Sequence, residues 1–202
     1  MRRLATRREL VVGGLASAGA GAAAAVGAGV LVAPAAADAP VSDAQALSKA
    51  LEVERLIVLA YRRVLASGAL APDIAGATRP YLTHELQHLA AVAGQLASMG
   101  EMSDTGPMSL DAAAAILSKH NIPGSLTDLH SQNDCLRLLV DLESLAEGVY
   151  FTALKTLSKP GLQQLAAQIM ACEAQHWTAV SGLRNPGQYV KAVPWPFVTG
   201  SS

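Results

Sequence analysis

Glutamate, tyrosine and histidine recur in one order in both halves of this 202-residue sequence. The order is Glu54, Tyr61 and Glu85-x-x-His88 in the first half, and Glu143, Tyr150 and Glu173-x-x-His176 in the second. With eight glutamates and five histidines, a histidine three residues after a glutamate is expected about 0.2 times by chance, and it occurs twice. Carboxylates and imidazoles are common ligands of divalent metals, so the duplicated pattern indicates a metal site.

These residues are predicted to lie on helices. Apolar residues recur at helical spacing, with breaks at glycine and proline, and predict helices over residues 43–67, 72–99, 110–120, 131–157 and 160–184. Ser42 with Gln45 forms a capping box, and Gly68 ends the first helix. Pro80 implies either a late start or a kink in the second. Two short connections and one long one predict an all-α, antiparallel four-helix bundle of two helical hairpins joined by a long crossover.

The turns of these hairpins lie where the repeated residues require them. In an antiparallel hairpin, residues equally far from the turn lie at the same height along the axis. The midpoint between Glu54 and the first Glu-x-x-His falls near residue 70, and the midpoint between Glu143 and the second falls near residue 159. Both positions are breaks in the helical pattern. All six side chains are therefore expected to meet at one level of the bundle.

Four carboxylates at one level of an Ala- and Leu-rich core would repel one another and lack solvation. Two divalent cations would balance four negative charges, with two neutral imidazoles completing the ligand set. One glutamate from each of two helices plus Glu-x-x-His from each of the other two is the arrangement of the di-iron and di-manganese carboxylate proteins. The sequence thus predicts a dinuclear metal centre.

From residue 42 to residue 184 the chain resembles the ferritin-like superfamily, and more closely the exported bacterial ferritin-like domain proteins. The resemblance implies terminal carboxylate ligands at Glu54 and Glu143, and bridging carboxylates at Glu85 and Glu173. It implies terminal imidazole ligands at His88 and His176. The implied cofactor is two iron ions, with manganese also compatible with this ligand set.

The resemblance specifies the metal site better than the reaction, since many activities share these ligands. One expectation is an oxidase that reacts Fe(II) or another small reductant with oxygen or peroxide. The alternatives are an iron-binding or storage protein without turnover, and a manganese catalase-like protein that dismutates peroxide. A rubredoxin-type electron relay is not expected, because the sequence contains no Cys-x-x-Cys motif.

Three further residues lie close to the predicted ligands in sequence. Tyr61 and Tyr150 lie two turns after their glutamates on the same face, where they either hydrogen-bond to the ligands or simply pack in the core. Glu147 lies one turn after Glu143, and could be a seventh ligand or hydrogen-bond to one. Because its counterpart in the first helix is Val58, a solvated surface position is favoured for Glu147.

The remaining histidines and the cysteines are not expected to be metal ligands, although Cys172 is expected at the level of the metal site on the fourth long helix. His84 precedes Glu85 and points about 100° away from it, which favours a surface position or a satisfied hydrogen bond. His120 and His130 lie in or beside the crossover. Cys135 and Cys172 are expected to lie about 12 Å apart in height, too far for a disulfide, and to be chemically inert.

Residues 1–37 resemble a twin-arginine export signal. Arg7-Arg8 precedes an uncharged run from Val11 to Val32 and then Ala35-Ala36-Ala37, which predicts cleavage before Asp38 and an exported protein. The alternative is a membrane anchor, because about 20 apolar residues can span a bilayer. Membrane association is expected only if this segment is retained.

Charge and composition exclude several classes of protein. Without residues 1–37 the chain has 11 basic and 15 acidic residues, so no basic face for nucleic acid is expected. With 51% hydrophobic residues the chain is not disordered. The predicted domains are a signal at 1–37, the bundle at 38–184, and a tail at 185–202 laid over the bundle. Metal ions and oxygen or peroxide are the predicted partners, and the sequence does not indicate an oligomeric state.

Overall fold

The computed structural model describes residues 41–193 and residue 200, and within these residues all the regular secondary structure is helical. The helices are α1 (Asp43–Ala66), α2 (Pro72–Ser98), α3 (Leu110–Lys119), α4 (Gln132–Thr156), α5 (Pro160–Arg184) and α6 (Tyr189–Ala192). The all-α prediction is confirmed, and the first five helices match the predicted ranges to within one residue at each end. The short α6 lies in the predicted tail.

The four long helices form two antiparallel hairpins, α1–α2 and α4–α5, and the segment that contains α3 connects them. Helix α1 packs on both α2 and α4, and α4 packs on α5. The apolar core consists of two clusters. One contains the end of α1, the start of α4 and part of α3, and the other contains the start of α1, the end of α4 and the start of α5. Glu85 and Glu173 lie in sequence between residues of the two clusters, whereas Glu54 and Glu143 lie within the α1 and α4 segments of the first cluster.

Local sequence explains the helix ends. The Ser42 hydroxyl accepts a hydrogen bond from the Gln45 backbone N–H at 3.1 Å, and the Gln45 side chain accepts one from the Ser42 N–H at 2.9 Å. Pro72 occupies the first turn of α2, and the helix continues through Pro80, so the alternative of a late start is wrong. Pro160 opens α5 in the same way.

Several predictions fall outside the described residues. The predicted signal at 1–37, its alternative as a membrane anchor, and tail residues 194–199, 201 and 202 are among them. Within the described part of the chain, no helix combines the length and the apolar character needed to cross a membrane. Gly200 lies against α4 at Gly148, so close that a Cβ on Gly200 would collide with the helix backbone.

Candidate metal centre

Each of the four long helices contributes one fully buried glutamate to the same level of the bundle. These are Glu54 of α1, Glu85 of α2, Glu143 of α4 and Glu173 of α5, each with an exposed fraction of 0%. The Glu-x-x-His spacing places a carboxylate and an imidazole on one helix face, because residues three apart are neighbours on a helix. The structure therefore brings together all six residues that the repeat singled out.

Each histidine directs its Nδ1 atom at three carboxylates. His88 Nδ1 lies 2.9 Å from Glu173 Oε1, 3.5 Å from Glu85 Oε2 and 4.0 Å from Glu54 Oε2. His176 Nδ1 lies 2.7 Å from Glu85 Oε1, 3.3 Å from Glu173 Oε2 and 3.6 Å from Glu143 Oε2. The two histidines thus approach the glutamate cluster in equivalent ways.

The six residues form two overlapping groups, and in each group the donor atoms lie within 4.8 Å of one another. The His88 group consists of Glu54, Glu85, His88 and Glu173, and the His176 group consists of Glu85, Glu143, Glu173 and His176. Both groups contain Glu85 and Glu173. Two carboxylates common to two adjacent groups are what a pair of neighbouring cations would use as bridges.

Among the described residues, none of the donor atoms that face the centre has an aligned hydrogen-bond partner, although each histidine Nδ1 lies at ion-pair distance from the carboxylates. The donor atoms are Glu54 Oε2, both carboxylate oxygens of Glu85, Glu143 Oε2, both carboxylate oxygens of Glu173, and the Nδ1 atoms of His88 and His176. Buried polar atoms are normally paired, and leaving them unpaired is costly. Six oxygens and two nitrogens divide into four donors for each of two cations. The buried residues therefore fit a dinuclear metal protein.

Two buried tyrosines hold the outer oxygens of Glu54 and Glu143, and they do so across the two halves. The Tyr61 hydroxyl of α1 donates a hydrogen bond to Oε1 of Glu143, and the Tyr150 hydroxyl of α4 donates one to Oε1 of Glu54. Each tyrosine therefore binds the glutamate of the other hairpin and not the glutamate seven residues before it. In both glutamates the second oxygen remains directed at the centre.

Burial and mutual repulsion shift the ionisation of the metal-free cluster. Burial raises the pKa of Glu54 and Glu173 well above the ordinary value, and neighbouring carboxylates add to the effect. Burial is also the main reason that the pKa of Glu143 is raised. Burial acts in the same direction on Glu85, but its contacts with His176 and His88 outweigh that effect and lower its pKa.

The histidines compensate part of this negative charge. Burial disfavours the charged form of His88, but its contact with Glu85 and the charges of Glu54 and Glu85 outweigh that cost and raise its pKa to about 8. The pKa of His176 is also raised, because contacts with Glu143, Glu173 and Glu85 outweigh its burial. Without metal, the site therefore holds protons on groups that a metal ion would use.

Glu147 is buried, which corrects the prediction of a surface position. Its exposed fraction is 5%, because α4 packs against both α1 and α5 and so has a wide buried face. Burial, followed by the charge of Glu143, raises the pKa of Glu147 to about 7. Glu147 belongs to neither donor group. The apolar residues around it, Leu145, Ala146 and Val149, were the sequence signal of burial.

His84 and Cys172 both contact His176. The expectation of a satisfied hydrogen bond for His84 is confirmed, and Cys172, expected at the level of the site but inert, also contacts a predicted ligand. His84 Nδ1 lies 2.9 Å from His176 Nε2, and Cys172 Sγ lies 3.5 Å from the same nitrogen. The two residues occupy the same place in the repeat. Each directly precedes the glutamate of Glu-x-x-His and lies one turn before its histidine. That i,i+4 relation to the histidines was the missed signal. Both cysteines are free, as expected.

His120 and His130 contribute to neither donor group. His120 caps the end of α3, and the exposed His130 contacts Asp128. These positions agree with the expectation that the crossover histidines lie away from the cluster.

Comparison with known proteins supports the same fold. The chain shares 18% sequence identity with the conserved hypothetical protein rv2844 from Mycobacterium tuberculosis, whose crystal structure superposes with a TM-score of 0.58 over 77% of this chain and 93% of that one. No curated protein matches the sequence. The sequence profile of the ferritin-like domain family matches residues 42–186, which include all four long helices and every residue of the two donor groups. The chain therefore belongs to the ferritin-like domain family.

Proposed function

We propose that the protein binds two redox-active divalent metal ions, and that these ions are iron. We propose further that it oxidises Fe(II) or another small reductant with oxygen or peroxide. The observation that carries this proposal is the set of eight buried donor atoms, none with an aligned hydrogen bond, divided between the His88 group and the His176 group. A purely structural core would not leave so many carboxylate oxygens without partners.

The donor atoms suggest a distinct role for each glutamate. Glu85 and Glu173 have both oxygens free and belong to both groups, so we assign them as bridging ligands. Glu54 and Glu143 each have one oxygen occupied by a tyrosine hydroxyl, so we assign them as terminal ligands through the other oxygen. His88 and His176 would complete the set through Nδ1.

Charge favours two divalent ions. Four carboxylates balance the four positive charges of such a pair, and two neutral imidazoles add none. Bound iron or manganese would supply a redox couple at each position, and this ligand set does not distinguish between the two metals. Metal binding would release the protons that the raised pKa values of Glu54, Glu173 and the histidines retain in its absence.

The chain's own residues would restrict what reaches the centre. All four glutamates are fully buried, whereas the His88 side chain is 12% exposed and the His176 side chain 2% exposed. An approach past His88 suits a small molecule or a single ion better than a bulky organic substrate. This burial supports oxygen, peroxide and Fe(II) as the reactants.

The test is metal analysis followed by turnover assays on the folded protein. We expect about two iron or manganese ions per chain, and oxygen or peroxide consumption when Fe(II) is added to the iron-loaded form. The matched control is the double variant Glu85→Gln/Glu173→Gln, which keeps the size of both side chains and removes both bridges. A wild-type protein that takes up neither metal contradicts the proposal.

Two other outcomes would replace the oxidase by one of the alternatives. Tight iron binding with no consumption of oxygen or peroxide would indicate an iron-binding protein without turnover. Peroxide dismutation that requires manganese, with oxygen released and no added reductant, would indicate a catalase-like protein.

We also propose that the chain is exported by the twin-arginine route. Support comes from Arg7-Arg8, the weakly apolar run that follows, and the alanine-rich segment before Asp38. The double variant Arg7→Lys/Arg8→Lys should remain folded inside the cell and disappear from the exported fraction. Normal export of that variant contradicts the proposed route.

A further inference from the structure

We propose that His84 is a positioning residue that makes the two metal positions unequal. By accepting a hydrogen bond from Nε2 of His176, it would hold that imidazole with Nδ1 directed at the centre, so that the His176 group binds its metal more tightly than the His88 group. The inference rests on the proposed metal binding and adds to it an order of filling.

The geometry of the two rings supports a direct hydrogen bond. The nitrogens are 2.9 Å apart, the ring planes differ by 12°, and the centroids lie 5.2 Å apart. The distance between the centroids is longer than the distance between the nitrogens by about the sum of the two ring radii. Both nitrogens therefore lie close to the line that joins the two centroids. The rings are therefore nearly coplanar and meet edge to edge, with the two nitrogens aligned for a hydrogen bond. We assign the proton to Nε2 of His176 and the accepting lone pair to Nδ1 of His84.

The same geometry argues against a third cation between His84 and His176. A metal ion bound to both nitrogens along their lone pairs would need about 2.0 Å to each, and so about 4 Å between the two nitrogens. The observed 2.9 Å leaves room for a proton only. Cys172, at 3.5 Å from the same nitrogen, therefore contacts a hydrogen-bonded pair and not a metal ligand set of its own.

This hydrogen bond determines which nitrogen of His176 can bind a metal. With Nε2–H donated to His84, Nδ1 is the nitrogen that can bind a metal once its own proton is released, and it lies 2.7 Å from Glu85 Oε1 and 3.3 Å from Glu173 Oε2. An acceptor at the distal nitrogen of a ligating histidine fixes both its tautomer and its ring orientation. The Tyr81 ring, whose centroid is 4.7 Å from that of His176, restrains the imidazole further.

His88 has no equivalent support among residues 41–193 and residue 200. Within residues 41–193, no side chain is hydrogen-bonded to its distal nitrogen, and its side chain is 12% exposed. The residue one turn before His88 is His84 itself, which reaches across to the other hairpin. The residue one turn before His176 is Cys172, which also contacts His176. His84 and Cys172 therefore both contact His176. His88 would be free to move and to exchange its metal.

The experiment is a titration of the metal-free protein with Co²⁺, followed by visible absorbance and by calorimetry, without any assay of turnover. The wild type is expected to bind two ions in two separable steps. His84→Leu, which keeps bulk and removes the acceptor, should weaken the tighter step by about 10- to 100-fold and leave the weaker step unchanged. His84→Gln, whose amide oxygen can accept the hydrogen bond, should restore most of that loss.

His130→Leu is the matched control, because it removes an exposed imidazole far along the chain from the site and should change neither step. Circular dichroism and melting of each metal-free variant show whether it is folded. Two indistinguishable steps in the wild type, or an unchanged tighter step in folded His84→Leu, would overturn the inference and leave the proposed function intact. A wild-type protein that binds no Co²⁺, Fe(II) or Mn(II) would overturn both.

Discussion

The two hairpins of the bundle present the same six-residue pattern in different surroundings. In α4–α5 the histidine ligand candidate is 2% exposed and contacts His84 and Cys172, whereas in α1–α2 it is 12% exposed. Glu147 of α4 adds a buried carboxyl where α1 has Val58. Helix α4 also buries far more of its residues than α2, whose buried residues are only Thr78, Glu85, Val92 and Leu96.

A duplicated set of candidate ligands therefore has different neighbours in the two donor groups. The atoms that face the centre are nearly symmetric, since each group has one histidine, one glutamate of its own and both shared glutamates. The asymmetry lies one helical turn away, in residues that contact the ligands. Differences in affinity between the positions should therefore come from these neighbours.

The largest effect is expected from the residues common to both groups. Glu85→Ala or Glu173→Ala removes a ligand from both positions, so metal content should fall from about two ions per chain to below one. Glu54→Ala or Glu143→Ala should instead weaken one position and spare the other. Elemental analysis of desalted protein measures this, with the exposed Glu101→Ala as control. Equal losses in all four variants would mean that no carboxylate is shared.

The second effect is on the pH dependence of stability without metal. The pKa values of Glu54, Glu143 and Glu173 are raised in the folded protein. Their contribution to the free energy of unfolding is therefore present at low pH and is lost as pH rises through those values. His88, raised from 6.5 to about 8, adds stability below 6.5 that is lost as pH rises through about 8. Glu85, lowered from 4.5, acts in the opposite sense but only below about pH 4.5.

Metal-free protein should therefore melt at a higher temperature at pH 5 than at pH 8, by the order of 5 °C. Metal should remove most of this difference by replacing the protons. At pH 8 the stability of metal-free Glu54→Gln can be compared with that of metal-free Glu143→Gln. Because the pKa of Glu54 is raised further than that of Glu143, Glu54→Gln should stabilise the protein more. Identical metal-free melting at both pH values would show that the carboxylates are not buried together.

Removing either tyrosine hydroxyl should have a smaller effect on stability and on metal affinity. The effect is diagnostic because each tyrosine contacts the glutamate of the other hairpin. Tyr61→Phe frees Oε1 of Glu143, and Tyr150→Phe frees Oε1 of Glu54. A hydrogen bond to a carboxylate contributes about 1.5–3 kcal/mol, so each variant should lose roughly that much stability in the metal-loaded form. Tyr61→Phe should weaken the His176 group and Tyr150→Phe the His88 group, as resolved by Co²⁺ titration. Weakening of the group in the tyrosine's own hairpin would contradict the crossed arrangement.

The smallest effect is expected at Glu147, which has no counterpart in α1. Its raised pKa of about 7 means that its stability contribution is complete below 4.5 and is lost as pH rises through about 7. Glu147→Gln should therefore be neutral at pH 5 and stabilising at pH 8. After allowance for solvent screening, the gain is of the order of 1 kcal/mol in the free energy of unfolding. Val58→Thr, a polar change at the equivalent place in α1, should show no such pH dependence.

Local features of the sequence were enough to predict the helices and the level at which the six repeated residues meet. Capping at Ser42, the breaks at Gly68 and Pro160, and the i,i+3 spacing of Glu-x-x-His are local features. Equal distances from a turn then place residues at equal heights, because an α-helix rises by a constant 1.5 Å per residue. Fold and site level follow from these one-dimensional relations.

The neighbours that contact the candidate ligands could be identified only from the packed fold. Tyr61 binding Glu143, His84 binding His176 and the burial of Glu147 all depend on how each helix is rotated about its axis and which helices it packs against. Periodicity gives the direction of a side chain relative to its own helix but not the position of the facing helix. Contacts between hairpins are set by packing of the whole core, which is why a symmetric ligand pattern in the sequence became an asymmetric site in the fold.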